Sequence, residues 1–84
     1  MANKYYIGKR YYVDNENYVE QYWEGDGFSI YEIAAKKYTS INMASDVAHM
    51  LRSIATIQDE RFVKYVVYTL RNNLIMACME VNND

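Results

Sequence analysis

A helical pattern and a strand pattern meet in residues 41–81, INMASDVAHMLRSIATIQDERFVKYVVYTLRNNLIMACMEV. Apolar side chains recur there at spacings of three and four, which predicts a helix over about 41–58. Ser40 precedes the pattern and offers an N-cap hydroxyl. An apolar stripe at helical spacing is typical of a core-facing surface. We therefore expect one stripe to pack on the rest of the domain, namely Met43, Val47, Met50 and Ile54.

Two β-rich runs, 61–70 and 74–81, follow the predicted helix. Arg71-Asn72-Asn73 separates them, and Asn tolerates the backbone angles of a tight hairpin turn. Both faces of the first run are largely apolar, so one face should pack on the helix and the other is half covered or used for self-association. Cys78, inside the second run, is expected to be a small buried hydrophobe.

The N-terminal part of the chain predicts a second hairpin. Residues 5–13 and 18–23 are rich in aromatic and β-branched side chains, and 14–17 is a cluster of turn-forming residues. Two glycines in 24–27 end the second strand. Ser29 and Glu32 fit a capping box, with Phe28 and Ile33 as its hydrophobic staple, which predicts a short helix near 29–37.

These elements predict the fold class. Residues 1–84 form a single α+β domain, in which a small antiparallel sheet of two hairpins, about four strands, packs on one main helix. The chain is too short for a second domain. No apolar run approaches the ~20 residues that a membrane span requires.

The distribution of charge carries the functional hypothesis. Residues 11–35 hold six of the eleven acids and seven of the thirteen aromatics, without Lys or Arg. This acidic tract has a charge of −6, whereas the remainder, with nine bases against five acids, has +4. The tract is either a solvated hairpin or a surface for a positively charged partner. In the second interpretation the partner-binding residues are Asp14, Glu16, Tyr18, Glu20, Tyr22, Trp23, Glu24 and Asp26.

Enzymatic chemistry finds little support in the sequence, and we expect a protein without catalytic residues, cofactor or metal. His49 is the only histidine, and with Asp46 and Ser53 it lies on one polar helix face. Such a face lacks the buried orienting groups and oxyanion site that a nucleophilic triad requires. No glycine-rich loop opens a helix, so nucleotide binding is unsupported.

Residues 29–81 resemble, in the order of their elements, a winged helix-turn-helix domain: helix, turn, recognition helix and wing. A DNA-binding regulator is therefore one alternative. The recognition helix in that alignment offers phosphates no base before Arg52, and the isoelectric point is about 5.3. Direct nucleic-acid binding is accordingly the weaker expectation.

In size and architecture the chain resembles the small accessory proteins of bacteriophages and mobile elements, among them anti-CRISPR proteins. The resemblance rests on two Tyr-rich hairpins, KYYIGKRYYVDNENYVEQYW and RFVKYVVYTLRNNLIMACMEV, one helix and the acidic aromatic tract. The resemblance implies a stoichiometric inhibitor of a larger host protein or nucleoprotein complex with a basic surface. It also implies the cytoplasm of a bacterial host. A self-associating structural protein, dimerising through its C-terminal sheet, is a further alternative.

Overall fold

A computed structural model of the protein describes residues 3–57, 62–71 and 74–81. Within these ranges one antiparallel sheet and one α-helix form an α+β domain, which confirms the predicted class. The strands are β1 (Lys4–Tyr12), β2 (Tyr18–Trp23), β3 (Phe28–Ser29), β4 (Val63–Arg71) and β5 (Leu74–Val81), and the helix is α1 (Ile41–Ile57). The described sheet has five strands rather than about four, because Trp23 and Tyr22 pair with Phe28 and Ser29.

The strand order is β3-β2-β1-β4-β5, so β1 lies at the centre of the sheet. Gly8, in the middle of β1, is opposite Tyr22 of β2 and Val66 of β4. The β4–β5 pairing shifts register between Val67 and Tyr68, which leaves Cys78 as the extra residue on β5. Cys78 is exposed, so the expectation that it is buried was wrong.

The N-terminal end of α1 follows the predicted chemistry. The Ser40 hydroxyl accepts the backbone N–H groups of Asn42 at 3.2 Å and Met43 at 3.5 Å, which confirms the N-cap. The predicted end of the helix at position 58 and the turn at Asn72-Asn73 lie outside the described residues.

The short helix predicted near 29–37 is reduced to one 3₁₀ turn, Glu32–Ala34. No staple forms, because Phe28 is in a strand and the side chain of Ile33 is 92% exposed. Backbone pairing explains the difference. The N–H of Lys36 donates to the carbonyl of Trp23 at 2.8 Å, and Tyr38 exchanges backbone hydrogen bonds with Tyr5. Tertiary pairing with the sheet therefore overrides the helix propensity of this segment.

The face of α1 that packs on the sheet differs from the predicted one. Ala44, Ala48, Leu51 and Ala55 are buried, whereas Met43, Met50 and Ile54 are 43–53% exposed and Val47 is half-buried. The observed stripe has the same spacing as the predicted stripe and is displaced by one residue, which corresponds to a rotation of about 100°. Alanine side chains allow the helix to lie close to the strands. The predicted packing of Met43, Met50 and Ile54 was wrong.

We call the sheet surface under α1 the helix-packed face. Its buried members come from the three strands nearest the helix and are Ile7, Val63, Tyr65, Val67 and Val81. Lys9 is also buried on this side, and its Nζ lies 4.6 Å from the ring centroid of Tyr11 and 4.7 Å from that of Phe28. The aromatic rings thus stabilise a cation inside an otherwise apolar layer.

The opposite sheet surface carries tyrosines on three adjacent strands, and we call it the tyrosine face. Strand alternation and register place five of them there, namely Tyr6, Tyr12, Tyr18, Tyr22 and Tyr68. The chain after the 3₁₀ turn covers one end of this face, where Ala35 packs against Tyr6, Val66 and Tyr68. The other end, at the β1–β2 hairpin, is more open.

Candidate binding surface

The acidic tract runs from the end of β1 through β2 and β3 to the 3₁₀ turn. It therefore includes two exposed connections, 14–17 and 24–27, at opposite ends of β2. Six residues of extended strand span about 20 Å, so the two ends are separated by a distance of that order. The tract is two acidic ends joined by a strand, not one continuous patch.

The carboxylate of Asp14 organises the first connection. It accepts the backbone N–H groups of Glu16 and Asn17, both at 2.8 Å, and the side-chain amide of Asn17 at 2.9 Å. The hydrogen bond from the Asn17 amide, together with those from the backbone, lowers the pKa of Asp14 below its ordinary value. Asp14 is thus an exposed, ionised group held in a fixed position at the hairpin tip, beside exposed Glu16.

Glu20 points from β2 onto the tyrosine face and is engaged inside the protein. Its carboxylate accepts hydrogen bonds from Arg10 Nε at 3.1 Å, from the Tyr22 hydroxyl at 3.1 Å and from the Tyr68 hydroxyl. The Glu20 side chain is only 16% exposed. Arg10 Nη2 also donates to the Tyr68 hydroxyl at 3.0 Å, which closes the network. Replacing Glu20 with Lys would leave Arg10 beside a second cation, so this position is a poor probe of partner binding.

Gly8 makes room for this network. A Cβ at position 8 would lie 2.7 Å from Cε2 of Tyr68 and 2.8 Å from Oε2 of Glu20. Both distances are shorter than van der Waals contact permits. The absence of a side chain at position 8 is therefore what allows Tyr68 and Glu20 to meet across β1.

Three tyrosines of this face, Tyr6, Tyr22 and Tyr68, have a pKa above the ordinary value of a phenol. Tyr6 donates to Glu32 Oε2 at 2.8 Å, and its ring stacks on that of Tyr68 with centroids 5.2 Å apart. Burial, reinforced by hydrogen bonds to Glu32 and Glu20 respectively, raises the pKa of Tyr6 and the pKa of Tyr68. Burial and the neighbouring Glu20 carboxylate raise the pKa of Tyr22 to about 12. These phenols act as hydrogen-bond donors throughout the neutral range.

Trp23 belongs mainly to the packing of the domain. Its Nε1–H donates to the Tyr38 hydroxyl at 3.1 Å, and its ring lies 5.2 Å from that of Phe28. The side chain is half-buried against the core of the helix-packed face. An anchor for a partner would have to leave these contacts.

Tyr18 is the aromatic residue of β2 that remains exposed, at 43%. The guanidinium carbon of Arg10 lies 4.6 Å from the centroid of its ring, and the ring of Tyr12 is 5.2 Å away. These contacts fix the orientation of a phenol at the hairpin end of the tyrosine face. A fixed aromatic side chain loses little conformational entropy on binding.

The second acidic end is the turn between β2 and β3. Glu24 and Asp26 are exposed there, and Gly25 has a φ of 115°, which other residues rarely adopt. Ion pairs between described residues include none of Asp14, Glu16, Glu24 and Asp26. The eight predicted residues thus fall into two sets. Those with exposed side chains are Asp14, Glu16, Tyr18, Glu24 and Asp26, and those with internal contacts are Glu20, Tyr22 and Trp23.

Sequence reasoning missed two apolar members of this surface. Val13 is 71% exposed and Val19 is 56% exposed, next to the acids of the hairpin. Val19 points to the helix side of the sheet, yet α1 packs mainly across β4 and β1 and leaves it uncovered. Alternation along β2 predicts the face on which Val19 lies, but the sequence holds no signal for how far the helix reaches across the sheet.

The other residues considered for chemistry lie apart from this surface. Asp46, His49 and Ser53 are exposed on α1, and the Ser53 hydroxyl donates to the backbone carbonyl of His49 at 3.0 Å. This is a local helix contact and not a contact between the three side chains. Among the described residues no cluster of His, Cys, Asp or Glu has the arrangement of a metal site. The described helices also include none that is both long and apolar enough for a membrane crossing.

Comparison with protein-family models, with curated proteins and with solved structures finds no match for this chain.

Proposed function

We propose that this is a small non-enzymatic binding protein that acts stoichiometrically, by covering a basic, nucleic-acid-binding site on a larger protein. The observation that supports this most is the state of four exposed carboxylates in the two connections of the tract, Asp14, Glu16, Glu24 and Asp26. They lie at both ends of β2 and form no ion pair with described residues. Carboxylates displayed in this way can pair with Lys and Arg side chains that otherwise hold phosphates.

The two acidic ends have different roles in this proposal. Charges separated by about 20 Å create an extended negative potential, which accelerates encounter with a basic surface more than it strengthens the final complex. The hairpin end adds apolar contact area on both sides of the sheet, because Tyr18 is exposed on the tyrosine face and Val19 is exposed on the helix side. Burial of such side chains governs the dissociation rate.

The resemblance to phage accessory proteins of the anti-CRISPR type points to an inhibitor of host defence as the specific role. A partner of that kind has a positively charged channel for guide and target strands. The tract would occupy part of such a channel from one side, with Tyr18 as the aromatic anchor. The compartment in this proposal is the cytoplasm of a bacterial host.

Nucleic acid as the direct ligand has less support from the geometry. A helix-turn-helix requires two helices, and residues 29–38 contain only one 3₁₀ turn before α1. Arg52, the first base along α1, is buried and donates to the carbonyl of Val63 at 3.4 Å. It is therefore not displayed toward a phosphate backbone.

The test begins with tagged protein as bait in a host lysate treated with nuclease, followed by binding kinetics with the purified partner. Glu16→Lys and Glu24→Lys should each slow association several-fold at low ionic strength, and the difference should shrink as salt is added. Asp46→Lys is the matched control, because it makes the same change of charge at an exposed position on α1. We expect its association rate to equal that of the unmodified protein.

A second variant tests the anchor. Tyr18→Ala should raise the dissociation rate about tenfold or more, as loss of a central aromatic contact does. Thermal unfolding of each variant serves as the folding control. The proposal fails if Glu16→Lys and Glu24→Lys both bind normally, since neither acidic end would then contribute to the interface. Nucleic acid would become the leading candidate if capture also required intact nucleic acid.

A further inference from the structure

Strand β5 lies at one edge of the sheet, and its outer backbone edge faces away from β4. Among the described residues β5 pairs only with β4, so about half of its backbone N–H and C=O groups point away from the sheet. A bare edge of this kind is a template for another strand. Its length, eight residues, is above that of an average strand.

The features that usually protect an edge strand are missing from most of β5. Its sequence from Leu74 to Met79, LIMACM, contains no Pro and no charged residue. The side chains of Ile75 and Met76 are 50% and 62% exposed. By register, Ile75 lies on the tyrosine face beside Leu70, and Met76 lies on the helix-packed face beside Thr69. The bulge at Cys78 lies within this segment, two residues beyond Met76, so the regular part of the edge runs from Leu74 to Ala77.

We infer that β5 pairs antiparallel with β5 of a second copy of the chain, about a two-fold axis that passes through Met76. An axis perpendicular to the sheet keeps each face on its own side, so only residues of the same face become neighbours. Met76 then pairs with Met76 of the partner subunit, and Ile75 pairs with Ala77 of the partner subunit. The two five-stranded sheets join into one sheet.

The charges of β5 favour a second copy and this orientation. Glu80 is the only charged residue of the strand, and its Oε1 lies 4.0 Å from Nζ of Lys64. Antiparallel pairing at Met76 places the two Glu80 residues at opposite ends of the joint, whereas parallel pairing in register would place them side by side. In this antiparallel pairing the uncharged segment of one subunit lies against the same uncharged segment of the partner subunit. A contact of one strand pair is small, so the dimer should dissociate on dilution.

This inference is independent of the proposed function, because β2 and β5 lie on opposite sides of β1 in the sheet. The first experiment measures the mass of the reduced 84-residue chain by sedimentation at a series of concentrations. We expect a monomer–dimer equilibrium that Met76→Lys weakens about tenfold or more, because two ammonium groups would meet at the axis. Met43→Lys is the matched control, since Met43 is similarly exposed, at 53%, on α1.

The second experiment does not depend on how well the Lys variant folds. In a Cys78→Ser background, Met76→Cys should form an intermolecular disulfide on mild oxidation, because paired residues at the axis come within disulfide range. Met50→Cys in the same background should remain monomeric. The inference is overturned if the reduced protein is monomeric at every concentration. It is also overturned if Met43→Lys is the variant that dissociates the dimer, or if both cysteine variants cross-link equally.

Discussion

The two faces of the sheet are stabilised in different ways, although both are rich in aromatic residues. On the helix-packed face, apolar side chains such as Ile7 and Val67 are buried under the alanines of α1. On the tyrosine face, Glu20 accepts hydrogen bonds from Arg10, Tyr22 and Tyr68. Packing on the first face is non-directional, whereas the second face depends on specific distances and protonation states.

The difference shows that composition alone does not define a binding surface. The acidic tract contains carboxylates of both kinds: Glu20 is part of the internal network, and Glu16 and Glu24 are exposed at the ends of β2. Glu20 therefore stabilises the fold, because the sheet places Arg10 and Tyr68 within hydrogen-bond distance of its carboxylate. The connections at the two ends of β2, in contrast, hold exposed carboxylates that form no ion pair with described residues.

The largest effect expected from the comparison concerns the helix-packed face. Ile7→Ala should lower the free energy of unfolding by about 2–5 kcal/mol, because Ile7 is fully buried and the change leaves a cavity. Ile54→Ala, on the exposed stripe of α1, should lower it by less than about 1 kcal/mol. Urea denaturation measures both. Equal losses would show that the Met and Ile stripe is covered in solution.

A smaller loss is expected on the tyrosine face from Gly8→Ala. The added methyl group would displace Tyr68 or Glu20, so we expect a cost of about 1–3 kcal/mol in the free energy of unfolding. Gly27→Ala is the control, because a Cβ there has its nearest neighbour, Glu24 Oε1, at 3.9 Å. If Gly8→Ala is as stable as Gly27→Ala, the network does not require the close approach described above.

The smallest expected effect is on how the free energy of unfolding depends on pH, which involves a phenol of the tyrosine face. An unfolded tyrosine titrates near pH 10, whereas Tyr22 in the folded protein has a pKa of about 12. Between these values the folded state binds more protons than the unfolded state, so the free energy of unfolding falls as pH rises. Tyr22→Phe should make this fall shallower. Identical pH profiles for Tyr22→Phe and the unmodified protein would contradict a role for the Tyr22 proton in stability.

The sequence was sufficient for α1 and for the four longer strands, and insufficient for the segment 28–38 and for the orientation of the helix. Strand β5 begins and ends where the β-rich run 74–81 predicts, and Ser40 caps α1 as expected. Two stripes of α1 have identical spacing, however, one beginning at Met43 and the other at Ala44. Hydrophobicity favours the first stripe. Close approach of the helix to the sheet favours the second, and that approach depends on strands distant in the chain.

Prediction of the candidate site was limited for the same physical reason. Periodicity places Glu20 and Tyr22 on one face of β2, but the partners of Glu20 include Arg10 on β1 and Tyr68 on β4. These contacts require the sheet order, which local pattern does not contain. Asp14 is the opposite case. Its role in the hairpin loop depends on the next three residues, and the turn-forming cluster 14–17 predicted that loop from the sequence.

The position of β1 also bears on how the protein folds during synthesis. This strand precedes all others, yet it is the central one, and it pairs both with its neighbour in sequence and with a strand far along the chain, as in Lys4 with Leu70. A nascent chain can form the β1–β2 hairpin early, while the other edge of β1 remains open until β4 leaves the ribosome. Folding of the complete sheet is therefore limited by a long-range closure, and α1, which is made in the interval, is ready to dock when that closure occurs.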